Sequence, residues 1–109
     1  MIQVRYYVSE DGRSRFEEWF SNLNSEARAK IATGIARLEQ GNVSNVKSAG
    51  GGVLEYRINF GPGYRVYFGR DGETLVLLLC GGTKKRQQED IETARTSWSS
   101  YKIRKKTSS

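Results

Sequence analysis

Arg57, Asn59, Arg65 and Tyr67 occupy alternate positions in two strand-like runs that flank Gly61-Pro62-Gly63. A strand sends successive side chains to opposite faces, so Glu55, Arg57 and Asn59 share one face and Leu54, Tyr56, Ile58 and Phe60 the other. The two runs read as a tight hairpin, with the proline at the first central turn position and the following glycine at φ > 0. Pairing Phe60 with Tyr64 sets Asn59 opposite Arg65 and Arg57 opposite Tyr67. Two guanidinium groups, an amide and a phenol then share one polar face. Like charges placed so close weaken a sheet, and a bound polyanion relieves the repulsion. Cations that hold phosphates and rings that stack on bases suit single-stranded RNA.

Each residue also has a plainer role. Arg57 can simply pair with Glu55, a contact worth ~0–1 kcal/mol at a surface, and Tyr67 can cover the sheet. Convergence of four such groups on one face is what favours an RNA-binding or RNA-cleaving surface.

The chain of 109 residues carries a net charge of +6. Residues 84 to 109 hold eight basic side chains against three acidic ones, nearly all of the excess. A basic end on a near-neutral body implies a nucleic acid or an acidic protein partner. Lys84, Lys85 and Arg86 fall between a predicted strand and a predicted helix, where they can reach the rim of the polar face. Lys47 can approach it from the other end.

Histidine is absent, which excludes histidine-based hydrolases and the usual zinc sites. Acid–base chemistry would fall to Lys, Arg, Tyr, Asp or Glu. The single cysteine, Cys80, lies in an apolar run and reads as a core residue. No metal-ligand cluster exists, so no metal or cofactor is implied. No apolar run approaches membrane-spanning length and the start lacks a signal-peptide pattern, so the expected location is the cytoplasm, with no membrane contact.

The positioning elements follow from periodicity. Ile2–Val8 reads as a strand. Phe16, Trp19, Phe20 and Leu23 mark a short helix from near Ser14, and Ile31, Ile35 and Leu38 mark a second over Ser25–Gln40. Their short link implies an antiparallel helical hairpin. Residues 42–52 read as a loop ending in three glycines. After the hairpin, Asp71-Gly72 turns the chain into Leu75–Cys80, apolar throughout and so expected to be covered on both faces. A last helix is predicted over Arg86–Tyr101, its Ile91, Ala94, Trp98 and Tyr101 packing on the sheet or on the helical hairpin. The order β-α-α-β-β-β-α predicts one α+β domain over residues 1–109, a mostly antiparallel sheet with helices mainly on one face. Residues 102–109 read as a basic tail, open to flexibility.

The hairpin run Val53–Phe68, followed by Leu77-Leu78-Leu79-Cys80-Gly81-Gly82-Thr83-Lys84-Lys85-Arg86-Gln87-Gln88-Glu89-Asp90-Ile91, resembles the HigB-like addiction module killer branch of the RelE/ParE toxin superfamily. The resemblance extends over nearly the whole chain. It implies a RelE-like fold and the toxin of a type II toxin–antitoxin pair. RelE and HigB branches cut messenger RNA on the ribosome; the ParE branch inhibits DNA gyrase without cleavage. The arginine after Gly-Tyr matches a catalytic position, here Arg65, and the basic residue after the last strand matches another, here Lys85 with Lys84 beside it. Lys47 is the candidate for a basic residue ahead of the hairpin. Where many members place a tyrosine or histidine, this chain has Ile91 preceded by Asp90.

On that resemblance, the expected reaction is metal-independent attack of a ribose 2′-OH on its own 3′-phosphate. Arg65, with Arg57, would stabilise the charge on phosphorus, and Lys84 or Lys85 would act as base if neighbouring cations lower its pKa. Asn59, Tyr67, Arg86 and Lys47 would hold the RNA, and Tyr67 or Asp90 would move a proton. Two other readings stay open: a ParE-like gyrase inhibitor, and a toxin relative that only binds its antitoxin. The implied partners are messenger RNA, the ribosome and a helix-turn-helix antitoxin of HigA type, in a toxin–antitoxin hetero-oligomer.

Overall fold

The computed structural model describes residues 2–107. Its elements are β1 (Gln3–Tyr6), α1 (Arg15–Ser21), α2 (Ser25–Glu39), β2 (Val46–Gly50), β3 (Val53–Ile58), β4 (Tyr64–Asp71), β5 (Leu75–Thr83), a 3₁₀ turn (Lys84–Arg86) and α3 (Gln87–Thr107). The strands form one sheet in the order β1-β5-β4-β3-β2, antiparallel except for β1 against β5. The α+β class and the mostly antiparallel sheet agree with the expectation.

Local chemistry accounts for the helical hairpin. Ser14 caps α1 by accepting from the Glu17 amide at 3.1 Å, and Asn24 caps α2 by accepting from the Ala27 amide at 2.8 Å. Gly41, at φ +83°, follows the end of α2. The hairpin lies on one face of the sheet, where Phe16, Ala27, Ile31 and Leu38 bury against Tyr56, Val66, Phe68, Val76 and Leu78.

The other face is not open. α3 crosses it, burying Ala94 and Trp98 against Val53, Tyr67, Leu77, Leu79 and Cys80. The helices therefore pack on both faces of the sheet. Trp98 lies over two glycines, and a Cβ on Gly69 would come within 2.3 Å of its ring. Tyr101 stacks on Trp98 at 5.3 Å and its hydroxyl meets Asp71, which also pairs with Lys105 at 2.6 Å. Arg95 donates to the Ala49 carbonyl and Arg104 to that of Val8. These contacts carry α3 past the predicted stop at Tyr101 to Thr107; Ser108 and Ser109, the end of the predicted tail, lie outside the described residues.

Two further expectations are corrected. Residues 46–50, read as loop, form β2, because the unpaired edge of β3 offers hydrogen bonds that a weak β-former accepts. The β3–β4 register pairs Ile58 with Tyr64, Arg57 with Arg65 and Glu55 with Tyr67. The shift of two residues from the expected register leaves every side chain on its expected face. The turn closes from the Gly63 amide to the Phe60 carbonyl at 3.1 Å, with Gly61 at φ +55°. The proline thus takes the second central position and Gly61 supplies the positive φ at the first.

As expected, β5 is covered on both faces, with Val76 and Leu78 toward the helical hairpin and Leu77 and Leu79 toward α3. A bulge opposite Tyr67 and Phe68 turns Cys80 to the α3 side as well.

Candidate functional site

Four adjacent strands, β2 to β5, set the site. Arg57, Arg65 and Gly82 form one cross-strand row, and Lys47, Glu55, Tyr67 and Cys80 form the neighbouring row. Strands lie about 4.8 Å apart, so these side chains crowd onto a small area of the α3 face. The Lys84 amide donates to the Gly63 carbonyl at 3.0 Å, which ties the 3₁₀ turn to the hairpin loop beside this area.

Glu55 is the hub. It is 3% exposed. Its Oε1 accepts from Arg57 Nε at 2.8 Å and its Oε2 from Gln87 Nε2 at 2.8 Å. Arg65 Nε stands 3.8 Å from Oε2, near enough for charge attraction but not for a hydrogen bond. Burial pushes the Glu55 carboxyl up, yet the hydrogen bonds from Arg57 and Gln87, the neighbouring Tyr67 phenol and the Arg65 charge together hold it below the usual carboxylate range. Glu55 is therefore an anion at neutral pH and a weak base.

Arg65 is 7% exposed and Tyr67 is fully buried, both under α3. This corrects the expectation that they lie on an open face. The odd-numbered face of β3 and β4 carries Val53, Tyr67 and Gly69 along with its charges, and the apolar stripe of α3 seats on that end. In this arrangement Arg65 and Tyr67 stand behind the surface rather than on it. Arg57 pairs with Glu55, and Tyr67 packs between the sheet and α3. Burial, and next the negative charge of Glu55, push the Tyr67 phenol well up, so it keeps its proton. Its hydroxyl faces Glu55 without a hydrogen bond of normal geometry.

The remaining predicted residues divide. Lys84 and Lys85 are exposed on the turn beside the hairpin loop, and Lys47 is exposed at the sheet edge opposite Glu55. The Arg57 side chain is 43% exposed, with Nε alone engaged by Glu55. Arg86 points to Glu89, with an ion pair at 2.8 Å. Asn59 lies past the end of β3, toward α2 and away from the hub. Asp90, in the first turn of α3, rests over Gly82: a Cβ there would meet its Oδ2 at 1.9 Å. Burial raises the Asp90 carboxyl, offset in part by Arg86. Arg65 Nε and Nη1, the Tyr67 hydroxyl and Asp90 Oδ2 are all buried without a partner. Buried polar atoms left this way are uncommon, and these gather beneath one end of α3.

Gln87 escaped the sequence reading, and Glu55 entered it only as a possible ion-pair partner of Arg57. The available signal was a carboxylate with an arginine two residues on and a second arginine in the facing strand. Among the described residues, no three carboxylate, thiol or imidazole groups converge to hold a metal ion, and no helix is long and apolar enough to cross a membrane.

Cys80 is a core residue, as read from sequence. Burial, and next the Asp90 charge, push its thiol up to about 12. The folded chain is expected to leave it unmodified by a thiol reagent at pH about 8, with reaction on unfolding in urea. Rapid labelling of the native chain would show that the α3 face opens.

The family described as "Phage derived protein Gp49-like (DUF891)" matches residues 18–99 of this chain, the span from α1 to the middle of α3. An uncharacterized protein of Haemophilus influenzae (strain ATCC 51907 / DSM 11121 / KW20 / Rd) is similar to it, 47% identical over 81 residues, which is 73% of this chain and 82% of that protein. The matched span holds the hairpin, the hub and the basic turn together, and on it this chain belongs to the Gp49-like family of phage-derived proteins.

Proposed function

We propose that this chain is the toxin of a toxin–antitoxin pair and a ribosome-dependent endoribonuclease. The observation that carries the reading is the exposed arc of Arg57, Lys84 and Lys85 beside the buried Glu55–Arg65 pair. Arg57 is held at Nε by Glu55, so its terminal nitrogens present a fixed fork to a phosphate. Arg65 adds positive charge from behind, where lower dielectric strengthens it. The scissile step is attack of a 2′-OH on the adjacent phosphorus, with loss of the 5′-oxygen of the next nucleotide and closure of a 2′,3′-cyclic phosphate. A lysine of the turn takes the hydroxyl proton and a second acid protonates the leaving oxygen. The ribosome would supply the orientation that so small a set of groups cannot. The partner would be a helix-turn-helix antitoxin, and the site of action the cytoplasm.

A second reading has one observation in its favour. Arg65 and Tyr67 are covered by α3, which suits a surface that grips another protein, as in gyrase inhibition, better than one that cleaves. Inducing the chain in bacteria and mapping messenger-RNA ends separates the two. The nuclease reading expects new cuts with codon periodicity and arrested growth. Arg57→Ala and Lys85→Ala should each restore growth, with the cuts reduced at least about 100-fold, the scale of losing one charge-stabilising donor; Lys85→Ala should melt as the wild type does, while Arg57→Ala, which gives up a contact to Glu55, should stay folded at growth temperature. Persistent toxicity without cuts, together with a failed supercoiling assay, would replace the nuclease with the inhibitor.

A further inference from the structure

On the side of the sheet away from α3, beside the β3–β4 loop, lies a pocket of about 300 Å³. α2 contributes Lys30, Gly34 and Arg37 to its wall, and the end of β3 with the following loop contributes Arg57, Asn59 and Phe60. None of the residues that line it is acidic.

The α2 residues recur at spacings of four and three, which puts them on one stripe of the helix. Lys30 and Arg37 are two turns apart, about 10 Å along the axis. Gly34 between them lets the helix approach the sheet, since a Cβ there would lie 2.9 Å from the Tyr56 ring. Lys30 Nζ stands 5.2 Å from the centre of the Phe60 ring, which holds the ammonium at the pocket. Lys30 and Arg37 are exposed, so a ligand can reach them. Arg57 lines the pocket from β3, while its guanidinium meets Glu55 on the other face of the sheet. Two cations at one concavity repel each other until an anion enters. Asn59 offers both a donor and an acceptor, and Phe60 a ring, which are what an unstacked base needs.

We infer that this pocket binds a backbone phosphate of single-stranded RNA, a second station on the same strand whose neighbouring phosphate meets the Lys84–Lys85 turn. The inference rests on the RNA reading above and extends the track to the opposite side of the hairpin through Arg57.

The test is binding of a short labelled single-stranded RNA to the full chain by fluorescence anisotropy across a salt series. Lys30→Gln/Arg37→Gln keeps the exposed stems and leaves the fold intact, checked by the melting temperature. The expected result is at least about tenfold weaker binding at roughly 0.1 M salt. The slope of log K against log salt should fall by about 0.7, since one lost phosphate contact on a single strand contributes about that much. An unchanged slope in a variant of a chain that does bind RNA would overturn the pocket and leave the RNA reading in place. No binding by the unmodified chain would overturn both. Loss of binding in the variant, with no transcript cut by the unmodified chain in cells, would uphold the pocket and overturn the nuclease.

Discussion

Glu55→Ala is expected to cost at least about 3 kcal/mol of folding stability, the scale of breaking a buried ion pair by removing one partner. Glu55 and Arg65 are 3% and 7% exposed, so the substitution strands a guanidinium under α3 with Nε and Nη1 already unpaired. Arg57, which reaches water, can turn outward and limits the loss to the lower part of the usual range. Such a cost is a large part of the ~5–15 kcal/mol that holds a domain of this kind together. Urea denaturation of the wild type and the variant measures it. The double variant Glu55→Ala/Arg65→Met should recover much of the loss, because the stranded charge is then gone. A single variant within about 1 kcal/mol of the wild type, or a double variant no better than the single one, would remove Glu55 from the centre of the site.

The pH dependence follows from the same contacts. The folded chain holds the Glu55 carboxyl below its ordinary value. Its stabilisation is therefore complete above the unfolded carboxyl pKa and is lost as pH falls through the lower, folded value. Glu55→Gln should differ most from the wild type near neutrality, and the two should converge in acid. A difference that stays constant with pH would mean that the charge of Glu55 contributes nothing.

Trp98→Ala is expected to remove about 3–5 kcal/mol and to release α3 from the sheet. The ring is 6% exposed, stacks on Tyr101 and fits a slot made by the missing side chains of Gly52 and Gly69. Loss of the near-ultraviolet tyrosine signal and rapid hydrogen exchange in β4 should accompany the fall in stability. Gly69→Ala tests the same fit without touching the ring, since its Cβ would sit 2.3 Å from Trp98 and force the helix away. If Gly69→Ala melts with the wild type, the packing of α3 on this face is wrong.

The fold was largely legible in the sequence because most of its elements carry their own signals. Ser14 and Asn24 announce two helix starts, Asp71-Gly72 a hairpin, and Leu75–Cys80 a strand with no polar side. The β2 strand was not legible: Val46-Lys47-Ser48-Ala49-Gly50 has one strong β-former, and only the free edge of β3 makes it extended. The seat of α3 was hidden by averaging. Glu55, Arg57 and Arg65 read as a solvated face, while Val53, Gly69, Leu77 and Leu79 on that same face form an apolar slot for Trp98. The site was legible as residue types and only partly as geometry. Alternation placed Arg57, Arg65 and Tyr67 on one side, but which of them reaches water depended on the distant helix. Lys30 and Arg37 look like ordinary helix surface until the hairpin loop is folded against them.

The pairing of Gln3 with Leu75 and of Tyr6 with Leu78 joins the first strand to the last. Some seventy residues must be made before that ladder can form, and α3 comes after it. Contacts of such long separation slow folding, so the sheet closes only after β5 has been made. Until then β1, made first, stands as an edge strand with no neighbour, and β2–β4 wait for the central strand that will join them to it.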